Sequence, residues 1–408
     1  MRATDATRLF ALLACTVSLI ALGGCAPMAI RASSAPVAEE QGDSPQTVRT
    51  LQADQRFTEV PLSSLAERLH ARRPEEAVSI LALSGGGADG AFGAGALVGL
   101  ARSGTRPRFA VVTGVSAGAL IAPYAFLGPD WDDQLTDAYT SGRAEHLLQP
   151  RGLGVLFGSS VYSGSPLAQL VDHYLSDALI EAVAREAAGG RLLLVATTNV
   201  DTGETVVWDL GSIALNGGSR AKAEFRDVLV ASASVPGMFP PVIMRVPEHG
   251  ASYEEAHVDG TASVPFLAPA AFTSRPATAV YVLVDGSLSE QPLSVPLRFR
   301  SILSRSISTG LTHMVRTELE LTAATTQLNG AGLEYSAIPV AYPNLAAFDF
   351  SASGMRSLFD YGYQCARAGR LWISQRTIGD GGQQAGPVAN RGIRCPADDE
   401  FIVRFAGR

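Results

Sequence analysis

The sequence predicts an α/β fold around a largely parallel sheet. Three observations carry this. From about residue 74 onward, short apolar runs alternate with segments of helical length. The two strongest runs, residues 78–83 and 109–115, each lead through a glycine-containing turn into a small-residue helix. No internal repeat breaks the alternation.

In order along the chain, residues 78–83 form the first strand, and Gly85, Gly86 and Gly87 form the turn into a helix over 90–102. Residues 109–115 form the second strand, and a helix runs from Ser116 to about residue 126. Ser165-Pro166 reads as an N-cap followed by proline at the first helical position, opening a helix to about residue 174. Residues 192–200 and 205–210 read as two strands joined by the turn at Asp201-Thr202-Gly203-Glu204. A helix over 220–233 precedes short strands at 242–246 and 253–258, and the apolar strand 279–284 ends at Asp285-Gly286. Residues 297–328 form one long helix or two. A strand at 334–341 and a helix at 355–375 complete the domain.

The ends read differently. Arg2 and Arg8 give a basic start, and the apolar run over 9–22 is too short to span a bilayer. Leu22-Gly23-Gly24-Cys25 resembles a bacterial lipobox, so residues 1–24 are expected to be a signal peptide and Cys25 the lipidated first residue of the mature chain. Ala26 after it favours the outer membrane. Residues 25–73 are expected to be a flexible lipidated tether, rich in Ala, Ser, Pro, Gln and Glu. Residues 74–378 are expected to form the folded domain, and 379–408 a glycine-rich tail.

The net charge is −7, and removing residues 1–24 takes away two arginines and one aspartate. That acidity excludes nucleic acid as a partner and predicts no basic face for anionic lipid. Of the four cysteines, Cys15 leaves with the signal and Cys25 is lipidated. Cys365 and Cys395 remain, and in an exported protein they are expected to pair, stapling the tail to the last helix. No Cys/His spacing suggests zinc, and no cofactor is expected.

The chemistry concentrates in three places. Gly114-Val115-Ser116-Ala117-Gly118 fits G-x-S-x-G directly after an apolar strand. A serine on a sharp strand-to-helix turn needs small neighbours, and the turn presents its hydroxyl at a helix N-terminus. Upstream by about one βαβ unit, Ser84-Gly85-Gly86-Gly87-Ala88-Asp89-Gly90 lets backbone N–H groups converge on an anion. Gly85, Gly87 and Gly90 also match G-x-G-x-x-G. Dinucleotide binding then wants an acid about 20 residues on, and there is none between Asp89 and Asp130. Third, Asp259 ends a short strand just before Gly260, where a buried carboxylate can serve as base to a serine.

The order of these elements, together with Ala231-Ser232-Ala233-Ser234-Val235-Pro236-Gly237-Met238-Phe239-Pro240-Pro241, resembles the patatin-like phospholipases over about residues 76–290. The resemblance implies a three-layer α/β/α fold with a mainly parallel central sheet, lipid acyl-ester hydrolysis, and a Ser–Asp dyad without histidine. Ser116 matches the nucleophile, Asp259 the base, and Gly85, Gly86 and Gly87 the oxyanion loop. Two positions depart from the family pattern. Asp89 stands where a basic residue is usual, and Thr261 follows Gly260 where glycine or alanine is usual. Phe92, Tyr124 and Phe239 are candidates to line an acyl pocket. Two competing readings are a Ser–His–Asp triad using Ser116, Asp259 or Asp285, and His313, with His257 near the site, and a non-catalytic envelope scaffold.

Overall fold

The computed structural model describes residues 47–52, 57–72, 77–150, 159–248, 251–273, 278–290, 292, 294–342, 347–374 and 394–398. The expected signal peptide over residues 1–24, the expected lipidation site Cys25 and most of the C-terminal tail lie outside the described residues.

The chain opens with two strands, β1 (Thr47–Leu51) and β2 (Phe57–Pro61), and helix α1 (Leu62–Arg72). It then alternates: β3 (Ser79–Leu83), α2 (Gly90–Arg102), β4 (Val111–Val115), α3 (Ala117–Leu127), α4 (Asp132–Thr140), α5 (Ser165–Tyr174) and α6 (Asp177–Ala188). β5 (Leu192–Asn199) and β6 (Thr205–Asp209) are followed by α7 (Leu210–Asn216) and α8 (Gly218–Ser232). A hairpin, β7 (Val242–Glu248) and β8 (Ala251–Asp259), precedes β9 (Ala279–Val284), α9 (Phe299–Leu328), β10 (Gly332–Ala337), α10 (Ala352–Arg367) and the short β11 (Ile373–Ser374).

One sheet joins the strands in the order β11-β10-β9-β3-β4-β5-β6-β1-β2, with the β7–β8 hairpin attached through β8 to β5. The five strands β10, β9, β3, β4 and β5 are mutually parallel. Both faces are buried, as a parallel sheet requires. Leu81 and Leu83 of β3 pack into one apolar layer with α2, α3, α8 and α10, while Ile80 and Ala82 pack into the other with α1 and α9. The fold is therefore a three-layer α/β/α sandwich.

β5 is the strand that brings the chemistry together. Its first half pairs in parallel with β4 up to Val115 opposite Ala196. Beyond the end of β4, the same edge of β5 pairs antiparallel with β8, Thr197 opposite Asp259. The residue after Val115 and the last residue of β8 thus arrive side by side.

Several expectations need correction. The tether does not extend to residue 73. Val48, Leu51, Leu62, Leu65 and Leu69 are buried, and Arg49 of β1 reaches across to Glu255 of β8 at 2.6 Å while lying 4.9 Å from the Trp208 ring centroid. Ser165 is the first helical residue of α5, with Gly164 at the cap. Residues 297–328 hold one helix, uninterrupted by Gly310. β10 stops at Ala337, two residues before Pro339, and α10 stops at Arg367, where Gly369 turns left-handed (φ 68°). Cys365 and Cys395 are disulfide-bonded, fastening residues 394–398 to α10.

Candidate active site

Ser116 sits between β4 and α3 with φ 54° and ψ −123°, and it is the one non-glycine residue with positive φ among the described residues. Such a conformation costs on the order of 1–3 kcal/mol and persists only where neighbours enforce it. Two of those neighbours are close approaches. A Cβ on Gly118 would stand 2.5 Å from the Leu83 carbonyl oxygen, and one on Gly114 would stand 2.5 Å from the Gly118 carbonyl oxygen. The turn is held from outside as well: the Ser116 N–H donates to Ser232 Oγ at 3.0 Å, and Ser232 donates onward to the Ala196 carbonyl at 2.7 Å.

The Ser116 hydroxyl donates to Asp259 Oδ2 at 2.5 Å. Asp259 Oδ1 accepts two hydrogen bonds from Thr261, from its N–H at 2.8 Å and from its hydroxyl at 2.7 Å. Asp259 is fully buried, and burial pushes its pKa up to about 6, against the hydrogen bonds from Ser116 and Thr261 that hold it down. The result is a carboxylate ionised at neutral pH yet far more basic than an exposed aspartate. The backbone N–H of Asp259 donates to the Ser234 carbonyl at 2.9 Å. The segment 232–234 therefore grips both members of the pair, Ser116 through a side chain and Asp259 through a carbonyl.

The glycine loop lies against this pair, but its three glycines do different things. The Gly85 N–H donates to the Pro265 carbonyl at 3.1 Å, so Gly85 is not a free donor for an oxyanion, contrary to expectation. Its role is spatial: a Cβ there would lie 2.2 Å from Thr261 Cγ2 and 3.1 Å from Ser116 Cβ. The N–H groups of Gly86 and Gly87 have no acceptor among the described residues. The same holds for Ala117, the first residue of α3, which directly follows Ser116. The N–H groups near Ser116 that bond to no described residue are then those of Gly86, Gly87 and Ala117.

Asp89 begins the turn into α2 and is buried. Burial, and then the charge of Asp349, raise its pKa to about 7. Asp285, at the end of β9, accepts from the Gly93 N–H at 2.9 Å through Oδ1, while its Oδ2 has no partner. Burial holds Asp285 well above the usual carboxylate range, with Asp89 adding to the shift. Asp285 thus bonds the backbone of α2 and no histidine, and is not the acid of a triad.

Neither histidine joins Ser116. His257 is fully buried, and both ring nitrogens are engaged elsewhere: Nδ1 with Thr197 Oγ1 at 2.9 Å and Nε2 with Glu255 Oε2 at 2.8 Å. Burial lowers its pKa. Glu255 is opposed by burial, but His257 and Arg49 bring it down to about 2. The ionised Glu255 therefore accepts from Nε2–H, which leaves Nδ1 to accept from Thr197. His313 lies exposed on α9. No group of three or more metal-ligating side chains is gathered among the described residues.

A cavity of about 80 Å³, open to solvent, lies beside Gly87 and one helical turn past Ser116, at Leu120. Pro123, Tyr124, Leu147, Val171 and Leu179 line it, and its walls are almost wholly apolar. Of the three aromatic candidates, only Tyr124 lines it. Phe92 stacks on Tyr361, and Phe239 packs beside Tyr162.

The structure brings Ser116, Asp259 and the glycine loop together in one place. The roles of Thr261 beside Asp259, and of Ser232 and Ser234 behind the pair, were not apparent in the sequence. A hydroxyl two residues beyond an aspartate at a strand end is the signal that points to Thr261.

A search among curated proteins finds no match. Among solved structures, VipD from Legionella pneumophila aligns with 85% of this chain and 73% of its own at 11% identity, with a TM-score of 0.34. Residues 81–272 match the family model described as patatin-like phospholipase. That stretch, just under half of the chain, includes Ser116, the glycine loop, the 231–241 segment and Asp259.

Proposed function

We propose that this protein hydrolyses acyl esters of lipids through a Ser116–Asp259 dyad. The observation that carries this reading is the 2.5 Å hydrogen bond from Ser116 Oγ to a buried carboxylate, made by a serine held in a strained turn. Serine needs a base because its protonated hydroxyl is a poor nucleophile. Asp259 accepts that proton as Ser116 Oγ attacks the ester carbonyl. The oxygen that becomes negative faces the N–H groups of Gly86, Gly87 and Ala117, and a well-placed donor typically contributes about 3–4 kcal/mol to the transition state. Protonated Asp259 then gives its proton to the leaving alcohol. A water, deprotonated by Asp259, releases the acyl group from Ser116. The apolar cavity beside Gly87 supports an acyl chain as the group transferred.

The lipobox-like Leu22–Cys25 segment supports a chain carried on the envelope by acyl groups at Cys25, in the outer membrane. Incorporation of labelled palmitate, lost in Cys25→Ser, tests the anchor.

The test of the chemistry is labelling by a fluorophosphonate probe together with release of fatty acid from mixed phospholipids. Wild type is expected to label and to release fatty acid, Ser116→Ala to do neither, and His313→Ala to match wild type. Absence of labelling in folded wild type, or equal labelling of Ser116→Ala, refutes the reading.

A further inference from the structure

We propose that the N-terminal half of α9 is a docking surface for an anionic phospholipid bilayer, set on the same edge of the molecule as Ser116. The argument begins with length. A helix of 30 residues is about 45 Å long at 1.5 Å per residue, whereas β9, with 6 residues, covers about 20 Å. α9 ends where β10 begins, and the Gly332 N–H is bonded to the Thr278 carbonyl just before β9. The C-terminus of the helix therefore lies at the start of the parallel strands. Its C-terminal half packs on the sheet through Leu319 and Ala323. Among the described side chains from Ser301 to Glu318, none is buried. The excess length extends toward the opposite edge, where β3 and β4 end in the glycine loop and the nucleophile. Glu290, in the segment after β9, ties down the polar side of this overhang by binding Arg305 and the hydroxyls of Ser308 and Thr312.

The other side of the overhang is apolar and uncovered. Leu303, Ile307 and Leu311 follow at intervals of four residues, on one stripe of the helix, and are 46%, 56% and 37% exposed. Leu297, immediately before the helix, is 92% exposed. Charge selects the occupant. Between Glu290 and Glu318 the sequence has no acidic residue, but it carries Arg298, Arg300, Arg305 and Arg316. Glu290 neutralises Arg305, and Arg298, Arg300 and Arg316 remain as the excess positive charge of the segment that carries the apolar stripe, the pattern of a helix that lies in a membrane interface. The acidic average that predicted no basic face for lipid conceals this segment. No helix among the described residues is long and apolar enough to cross a membrane, so the stripe lies on a surface and does not span it. Docked this way, the edge that carries Ser116 faces the lipid.

The purpose of this surface rests on the acyl-ester reading, but its existence is tested without turnover. The full-length chain carrying Ser116→Ala and a single environment-sensitive label is mixed with vesicles of phosphatidylethanolamine and phosphatidylglycerol containing quencher-bearing acyl chains. The label is placed at Ile307→Cys or at His313→Cys, which is exposed and about a third of a turn away. An acyl anchor at Cys25 affects both samples alike. The label at position 307 is expected to shift to the blue and be quenched at least fivefold more than the label at 313. Replacing phosphatidylglycerol by phosphatidylcholine, or raising the salt, is expected to reverse this. Adding Leu303→Ser and Leu311→Ser is expected to abolish the quenching. In the active enzyme, Leu303→Ser with Leu311→Ser is expected to slow hydrolysis of vesicle phospholipid at least tenfold and leave a soluble short-chain ester unaffected. Equal quenching at 307 and 313, or none at either, overturns the proposal. So does shielding of the 307 label that rises with protein concentration in the absence of vesicles, which assigns the stripe to a second copy of the chain.

Discussion

Thr261→Val is the substitution that tests how the base is tuned. Valine keeps the shape of threonine, so the contact between its methyl group and Gly85 survives, but the hydroxyl that donates to Asp259 Oδ1 at 2.7 Å is lost. A hydrogen bond to a charged group is worth about 1.5–3 kcal/mol, and about 1.4 kcal/mol corresponds to one pH unit of titration. Asp259 titrates near 6 in the free enzyme, and it must be ionised to take the proton of Ser116. In wild type, kcat/KM is therefore expected to be flat above neutrality and to fall tenfold per pH unit well below 6. Without the hydroxyl the ionised form is less favoured, so the acid limb moves upward by about one pH unit or more. At pH 5 the variant is expected to be at least tenfold slower than wild type, and at pH 9 within a few-fold of it. The assay is the pH dependence of kcat/KM on a soluble short-chain ester, which reports the free enzyme. A superimposable profile, or a shift toward acid, refutes the assignment of Asp259 as the base tuned by Thr261.

Three further outcomes follow from buried groups. Asp89 is raised from 3.8 to about 7 in the folded chain, so the native state holds a proton the unfolded state has lost between those values. Stability contributed there is present at acid pH and lost as pH rises toward 7, by up to about 4 kcal/mol, and Asp89→Asn is expected to flatten that decline in thermal melts taken from pH 5 to 8. Arg49→Ala strands Glu255 without its cation and is expected to cost about 3–5 kcal/mol in urea denaturation. Removing both Cys365 and Cys395 opens a loop with a sequence separation of 30 and is expected to cost about 3–4 kcal/mol in the same assay, with ester hydrolysis at 25 °C retained.

The parts of the site that were legible in the sequence are those encoded by local sterics. Gly114 and Gly118 are demanded by a turn only five residues long, and Gly86 and Gly87 by a loop whose backbone approaches Asp285 and Ala347. The parallel core was legible because its strands are buried on both faces and so read as unbroken apolar runs. The long-range parts were not. β1 reads as tether because its partners are distant in sequence, β6 at Trp208 and Glu255, 206 residues away, which no periodicity announces. The occupation of the Gly85 N–H depends on the Pro265 carbonyl, and the grip of Ser232 on the nucleophile crosses 116 residues. Asp89 is legible as an oddity, but its proton affinity comes from burial and Asp349, which only the folded arrangement supplies.

The pairing of β5 first with β4 and then with β8 has a consequence for how the enzyme fails. Ser116 and Asp259 are 143 residues apart in the chain, yet they are adjacent because two strands take consecutive places along one edge of a third. Their alignment is a matter of strand register, fixed deep in the sheet and braced by the 232–234 segment. A loop-built site can soften long before the rest of a protein melts. A register-built one disassembles only when the central strands part, so the Ser116–Asp259 pair should survive intact until the whole domain gives way.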